Sequence, residues 1–221
     1  MRVFAAILWK DLVTEWRSRD RVIAMLVFSL LVVIVFHFAL PEATGNEIVT
    51  HAPGLLWVAF VFAALIGLNR AFAMELENDA LAGLALAPVD RGWVFLGKAV
   101  ANVLLIGVTQ ALTAAAFALV FDVDLLGSAG SLGLVFLLGT LGISSVGTLF
   151  AAMAVRTRFR EVLLPILLLP ALFPVLAGAV AGSIEAMRDG EASFASLQLL
   201  LVVDVIYWII CFIGFDFVLD E

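Results

Sequence analysis

Gly92-Trp93-Val94-Phe95-Leu96-Gly97-Lys98-Ala99 carries the glycine and lysine spacing of a phosphate-binding loop. That chemistry needs a Ser or Thr hydroxyl for magnesium at the last position, which is Ala99, and small residues that let backbone amides wrap a phosphate. The intervening residues are bulky and apolar, so any ATP must be bound by another chain. Two histidines, His37 and His51, raise haem or metal ligation. Their spacing fits no ligand motif, and the plain reading is an interfacial and a loop histidine. Ser144 and Ser145 raise an intramembrane hydrolase, but a nucleophilic serine needs an adjacent base. Thr140, Ser144, Thr148 and Ala152 recur every four residues beside Gly139, Gly142 and Gly147, the pattern that lets helices approach closely. One carboxylate, Asp204, lies within an apolar run.

The elements that hold these residues follow from composition. The chain has 221 residues, of which 64% are hydrophobic and 14% charged. Globular domains are nearer 45–50% apolar, so a soluble fold of this size could not hide so much apolar surface. Disorder is excluded by the same hydrophobicity, and a disulfide scaffold by the single Cys211. A net charge of −7 with no basic run speaks against nucleic acid. About 20 apolar residues cross a hydrocarbon core of about 30 Å. Six stretches qualify, near 22–40, 52–68, 99–121, 132–155, 162–182 and 197–219. Continuous apolar runs predict helices and exclude a β-barrel. The expected fold is all-α and integral to the membrane, a single permease domain over 1–221.

Basic residues predict the orientation. Eleven of the 12 Lys and Arg lie before the first span or between spans two and three or four and five, and only Arg188 lies in a loop of the other parity. Both termini are therefore expected in the cytoplasm. Residues 1–21 are too long and too acidic for a signal-peptide n-region. On a helix, Ala5, Leu8, Trp9, Leu12, Val13 and Trp16 share a face, whereas Phe4 and Ile7 depart from it. This predicts a helix lying in the inner interface. Lys98 is expected at the membrane edge, snorkelling outward. Pro165, Pro170 and Pro174 fall inside span five, each removing a donor, which predicts a bent or broken helix. Asp204 lies about 10 Å into span six. A carboxylate there costs about 2.5–3.5 kcal/mol and must face protein or water. Its partner is a polar side chain such as Gln110, a basic group of another subunit, or its own proton.

The inner stretch 69–98 is the only long loop on its side. Asn78 or Asp79 caps a short helix through Ala80–Leu86, ended by Pro88. An apolar helix at such a turn suits docking into a partner's groove; the alternative is a surface or re-entrant helix packed on its own spans.

Six spans, an amphipathic N-terminus and a short helix between spans two and three resemble the permease of an ABC-2 type exporter. Ala52-Pro53-Gly54-Leu55-Leu56-Trp57, Leu84-Ala85-Leu86-Ala87-Pro88-Val89-Asp90-Arg91, Leu96-Gly97-Lys98, Leu138-Gly139-Thr140-Leu141-Gly142, Val146-Gly147-Thr148-Leu149 and Arg160-Glu161-Val162-Leu163-Leu164-Pro165 are similar to the CcmB family, the haem exporter protein B permeases of cytochrome c maturation. The likeness covers about residues 4–182. Ala82 stands where the family usually has a second glutamate. The resemblance implies a bacterial inner-membrane, multi-pass, non-catalytic subunit that binds no cofactor itself. ATP and magnesium would be held by a CcmA-like ATPase docked on Leu81 and Leu84, supported by Glu75 and Asp79. A CcmC-like haem-handling protein, a small CcmD-like membrane protein and a second permease copy would complete the complex. ATP hydrolysis would be tied to haem export or to release of a haem-loaded, CcmE-like periplasmic chaperone, an indirect partner. Other readings are an ABC-2 permease for lipid, polysaccharide or drug, an intramembrane enzyme, and a scaffold without a transport cycle.

Overall fold

The computed structural model describes residues 2–40, 46–77, 91–155, 157 and 159–218. Seven helices follow in order: α1 Arg2–Ser18, α2 Asp20–Ala39, α3 Asn46–Glu77, α4 Arg91–Phe121, α5 Ala129–Ala154, α6 Arg160–Asp189 and α7 Phe194–Val218. No strand occurs among the described residues. Helices α2 to α7 are each long and apolar enough to cross a membrane. At 1.5 Å per residue, the 20 residues of α2 just match a hydrocarbon core. The 31 residues of α4 exceed it, so that helix carries its first turns beyond the apolar layer.

Element ends follow local chemistry. Arg19 takes a left-handed conformation (φ 57°) and turns the chain from α1 into α2. Glu15 caps the new helix from across the turn, its Oε1 accepting the Val22 N–H at 2.9 Å. That amide is one of the donors a helix start leaves unpaired, and a negative charge there suits the dipole. At the far end of α6, Gly190 (φ 85°) donates its N–H to the Ala186 carbonyl at 3.0 Å, a left-handed cap that glycine adopts without Cβ strain.

Helix α5 is the hub. It packs on α3, α4, α6 and α7, and 67% of its central window is buried, against 17% for α2 and for α7. Its small residues make this possible. A Cβ at Gly139 would overlap the Trp57 ring, and one at Gly147 would overlap Leu68. Trp57 in turn packs edge-to-face on Phe60 and Phe136, with centroids 5.5 and 5.8 Å away. Its Nε1 donates to Ser183 Oγ at 3.0 Å, joining α3 to α6.

Helix α6 is continuous through Pro165, Pro170 and Pro174 and so is not broken there. Pro174 has no N–H to continue the ladder, and beside it the Tyr207 hydroxyl of α7 donates to the Ala171 carbonyl at 2.6 Å. The carbonyl freed by Pro174 is that of Pro170, so the bond to Ala171 ties α7 to the same turn without replacing the lost one. Helix α1 docks by the face beside the one its tryptophans mark. Ile7 is buried while Trp9 and Trp16 are 71% and 77% exposed. A Cβ at Gly97 would lie 3.0 Å from Ile7 and 3.2 Å from the Phe4 carbonyl. Phe4 and Ile7 are therefore the protein contacts, and the tryptophan face is left for the interface.

Candidate functional site

Where α1 meets the bundle, charged side chains enter it. Lys98 is 1% exposed. It does not snorkel: its Nζ lies 3.1 Å from Asp11 Oδ2 and 4.7 Å from the Phe72 ring centroid. Helix α4 begins at Arg91, so Lys98 is two turns inside it. Its stem therefore points among α1 and α3 and not along the bundle edge. Lys10 Nζ lies 3.2 Å from the other Asp11 oxygen. One helical turn on from Asp11, Glu15 is also buried.

Arg21, at the start of α2, is 7% exposed and donates through Nη2 to Asn102 Oδ1 of α4. Asn102 donates through Nδ2 to Thr148 Oγ1 of α5 at 2.8 Å. A single run of contacts thus ties α2, α4 and α5. Removing charges from water costs several kcal/mol per ion unless they are paired. Here two carboxylates, Asp11 and Glu15, stand beside two buried cations, Lys98 and Arg21, with the more exposed Lys10 also on Asp11, so neither buried cation is left without an opposite charge.

The other sequence candidates fall as follows. Gly92–Ala99 form two turns of α4 and not a phosphate-cradling loop. Ser144 Oγ donates to the Ala99 carbonyl at 2.7 Å and Ser145 Oγ to the Gly142 carbonyl at 3.0 Å. Ser144 thus ties α5 to α4, and Ser145 bonds back within its own helix. His37 sits edge-on to Phe121 with centroids 5.4 Å apart, and His51 is exposed on α3. No group of three or more His, Cys, Asp or Glu among the described residues could hold a metal ion.

Asp204 is buried on α7, its Oδ1 2.7 Å from where a Gly142 Cβ would stand, with Val175 alongside. Neither carboxyl oxygen has a hydrogen-bond partner among the described residues. Gln110 does not reach it; Gln110 meets Thr140 instead. Glu75 lies in the last turns of α3, while Asp79, Leu81 and Leu84 lie outside the described residues.

Sequence reasoning missed the charge cluster. The signal was present: Asp11 and Glu15 are four apart, as are Lys98 and Asn102, so each pair shares one helix face. Together with Phe4 and Ile7 the acids form one stripe of α1.

The arrangement holds α1 to α4, the helix that follows residues 78–90. Residues 2–215 match the family model described as "CcmB protein". The chain is 34% identical over 203 residues to "Heme exporter protein B" of Paracoccus denitrificans, covering 91% of this chain and 89% of that one. Against the protein of the same name from Rhodobacter capsulatus it is 32% identical, with 86% and 84% covered. Against that from Pseudomonas aeruginosa it is 30% identical, with 90% and 92% covered. With the family model and these relatives spanning most of its length, the chain belongs to the CcmB protein family.

Proposed function

We propose that the chain is the permease subunit of an ATP-driven haem exporter that serves cytochrome c maturation. The observation that carries this reading is the family match over residues 2–215, on a chain whose helices offer six membrane spans. ATP is hydrolysed by a separate cytoplasmic ATPase, CcmA-like, which docks on the segment between α3 and α4. That segment contains Leu81 and Leu84, flanked by Glu75 and Asp79. The stroke of the ATPase passes into α4 at Arg91 and reaches the Lys98–Asp11 pair about 10 Å further along the axis. Through Asn102 and Arg21 it spreads to α5 and α2. The output is haem export or release of the haem-loaded CcmE-like chaperone, with CcmC-like and CcmD-like membrane proteins and a second permease copy in the complex. The chain lies in the bacterial inner membrane with both termini in the cytoplasm, since the basic residues cluster on that side.

The test is deletion and complementation scored for covalent haem on c-type cytochromes. Loss of that haem on deletion and its return with the intact gene support the reading. Normal cytochrome c in the deletion, with export of a lipid, polysaccharide or drug impaired, overturns it in favour of another ABC-2 cargo.

A further inference from the structure

Several glycines of α5 are closed by the protein's own side chains, but Gly107, Gly130 and Gly133 are not: a Cβ there would meet no heavy atom within 4 Å. Gly107 of α4 and Gly133 of α5 line a groove between those helices. Its inner part holds about 220 Å³ and its outer part about 740 Å³, and the two share Ala111, Gly133 and Phe136. Gly107, Ala111 and Ala115 form one wall at a spacing of four, which puts them on one face of α4. Such a wall admits the backbone of another helix.

Small residues alone do not say what enters, but Gln110 does. It is 2% exposed and lines the inner part. Thr140 Oγ1 lies 2.5 Å from Gln110 Oε1 and 2.6 Å from the Phe136 carbonyl. One hydroxyl hydrogen serves one acceptor, and Gln110 Nε2 has no partner among the described residues. Whichever way the carboxamide is turned, one end meets Thr140 and the other is left over. In a bilayer no water satisfies it. An acyl chain offers no hydrogen-bonding group, whereas a helix bearing a hydroxyl or carboxamide does. At the outer end Asp122 and Asp124 line the groove and are exposed. They repel anionic headgroups and carboxylates and attract a cation. A second copy of this chain fits poorly. The exposed faces of α2 (Ile23, Val27, Leu31), α6 (Ile166, Phe173) and α7 (Val205) are apolar, and groove laid on groove doubles the gap.

We propose that the α4–α5 groove docks one membrane-spanning helix of a different subunit, which sets Ser, Thr, Asn or Gln against Gln110 and Lys or Arg beside Asp122. The inference rests on reading the chain as part of a multi-subunit membrane complex.

The test places the photo-crosslinker p-benzoylphenylalanine at the groove rim, at Leu119 or at Leu137, in the full chain in its native membranes. Ile209 on α7 is the control position. Both rim positions are expected to give an adduct with the same different membrane protein, mapped to a spanning segment with a hydroxyl or carboxamide, and Ile209 to give none. Gly133→Phe, which fills the groove, removes the adduct. Gln110→Leu lowers its yield about three- to tenfold, the worth of one interhelical hydrogen bond in a bilayer. Gly107→Leu is the second filling variant should Gly133→Phe fail to insert. Adducts with phospholipid only, with a second copy of this chain, or unaffected by the filling variants overturn the proposal. ATPase co-purification is scored on the same samples. Its absence from the parent chain defeats the functional reading while a foreign-helix adduct keeps the groove assignment. Its presence with lipid adducts alone does the reverse.

Discussion

Gly139 and Gly107 are chemically the same residue in two environments, and the difference decides what an added methyl does. At Gly139 the methyl would overlap the Trp57 ring, whose Nε1 is committed to Ser183; at Gly107 it meets open space. Gly139→Ala should cost about 1–3 kcal/mol through overpacking, and Gly107→Ala should be neutral, both read from thermal unfolding in detergent. Equal effects at the two positions would show that α5 does not lie as close to α3 as described. The Lys98–Asp11 pair makes a second prediction. Lys98→Met should destabilise by about 1–3 kcal/mol, below the 3–5 typical of a fully buried pair, because the Asp11 side chain keeps 16% exposure. Adding Asp11→Asn should recover much of the loss, and a double-mutant cycle measures the coupling. Independent, additive effects would deny the pair. The sequence made the small-residue face of α5 legible because its period is helical and small residues at that spacing let helices pack closely. It hid the Lys98 pairing because a lysine near a span end snorkels by default, and only the docking of α1 removes that option.

At the level of elements, all six spans could be read from hydropathy, since an apolar run of about 20 residues has one stable form in lipid. Their ends could be read in part: residues 69–79 read as an extension of span two, and α3 runs to Glu77, but the start of α4 at Arg91, ahead of its apolar stretch, does not show in hydropathy, because polar residues continue a helix as readily as apolar ones once it is nucleated. Helix α1 was legible as amphipathic but was read by its more apolar face. The face carrying Phe4, Ile7, Asp11 and Glu15 is the one the protein takes, because α4 offers it a cation and a glycine. The corner joining α1 to α2 depends on Glu15, which caps Val22 and faces Arg21. Glu15→Leu should loosen α1, speeding trypsin cleavage after Arg17 or Arg19 in nanodiscs, where both faces are accessible, while α2 stays inserted. An unchanged cleavage rate, mapped by peptide mass, would show that the corner is held without it. In α6 the turn before Pro174 is tied to a neighbour. Tyr207→Phe withdraws the hydroxyl from the Ala171 carbonyl and should cost about 0.5–1.5 kcal/mol in thermal unfolding, with no cost if that bond adds nothing to the α6–α7 contact.

Across the whole molecule, the proposed ATPase coupling needs a route from residues 78–90 into the bundle. That segment joins α3 to α4, the helix that carries both Lys98 and Asn102. In the proposed coupling a push on it would reach the charge cluster first. Two variants separate the joint from the lever. Leu84→Asp puts a charge into the proposed ATPase groove, where desolvation costs several kcal/mol. It should release the ATPase from membranes while the permease stays inserted, seen as loss of co-purification. Lys98→Met with Asp11→Asn leaves that surface intact and replaces the charged pair with neutral side chains. It should keep the ATPase bound and lower covalent haem on c-type cytochromes, because α1 no longer moves with α4. The order of effects is the decisive readout. If the double variant loses the ATPase as Leu84→Asp does, the cluster belongs to the docking surface and not to the lever. If it keeps both the ATPase and full cytochrome maturation, the pair is a structural clamp, and the proposed stroke passes from α4 to α5 by contacts such as Asn102–Thr148 and Ser144–Ala99.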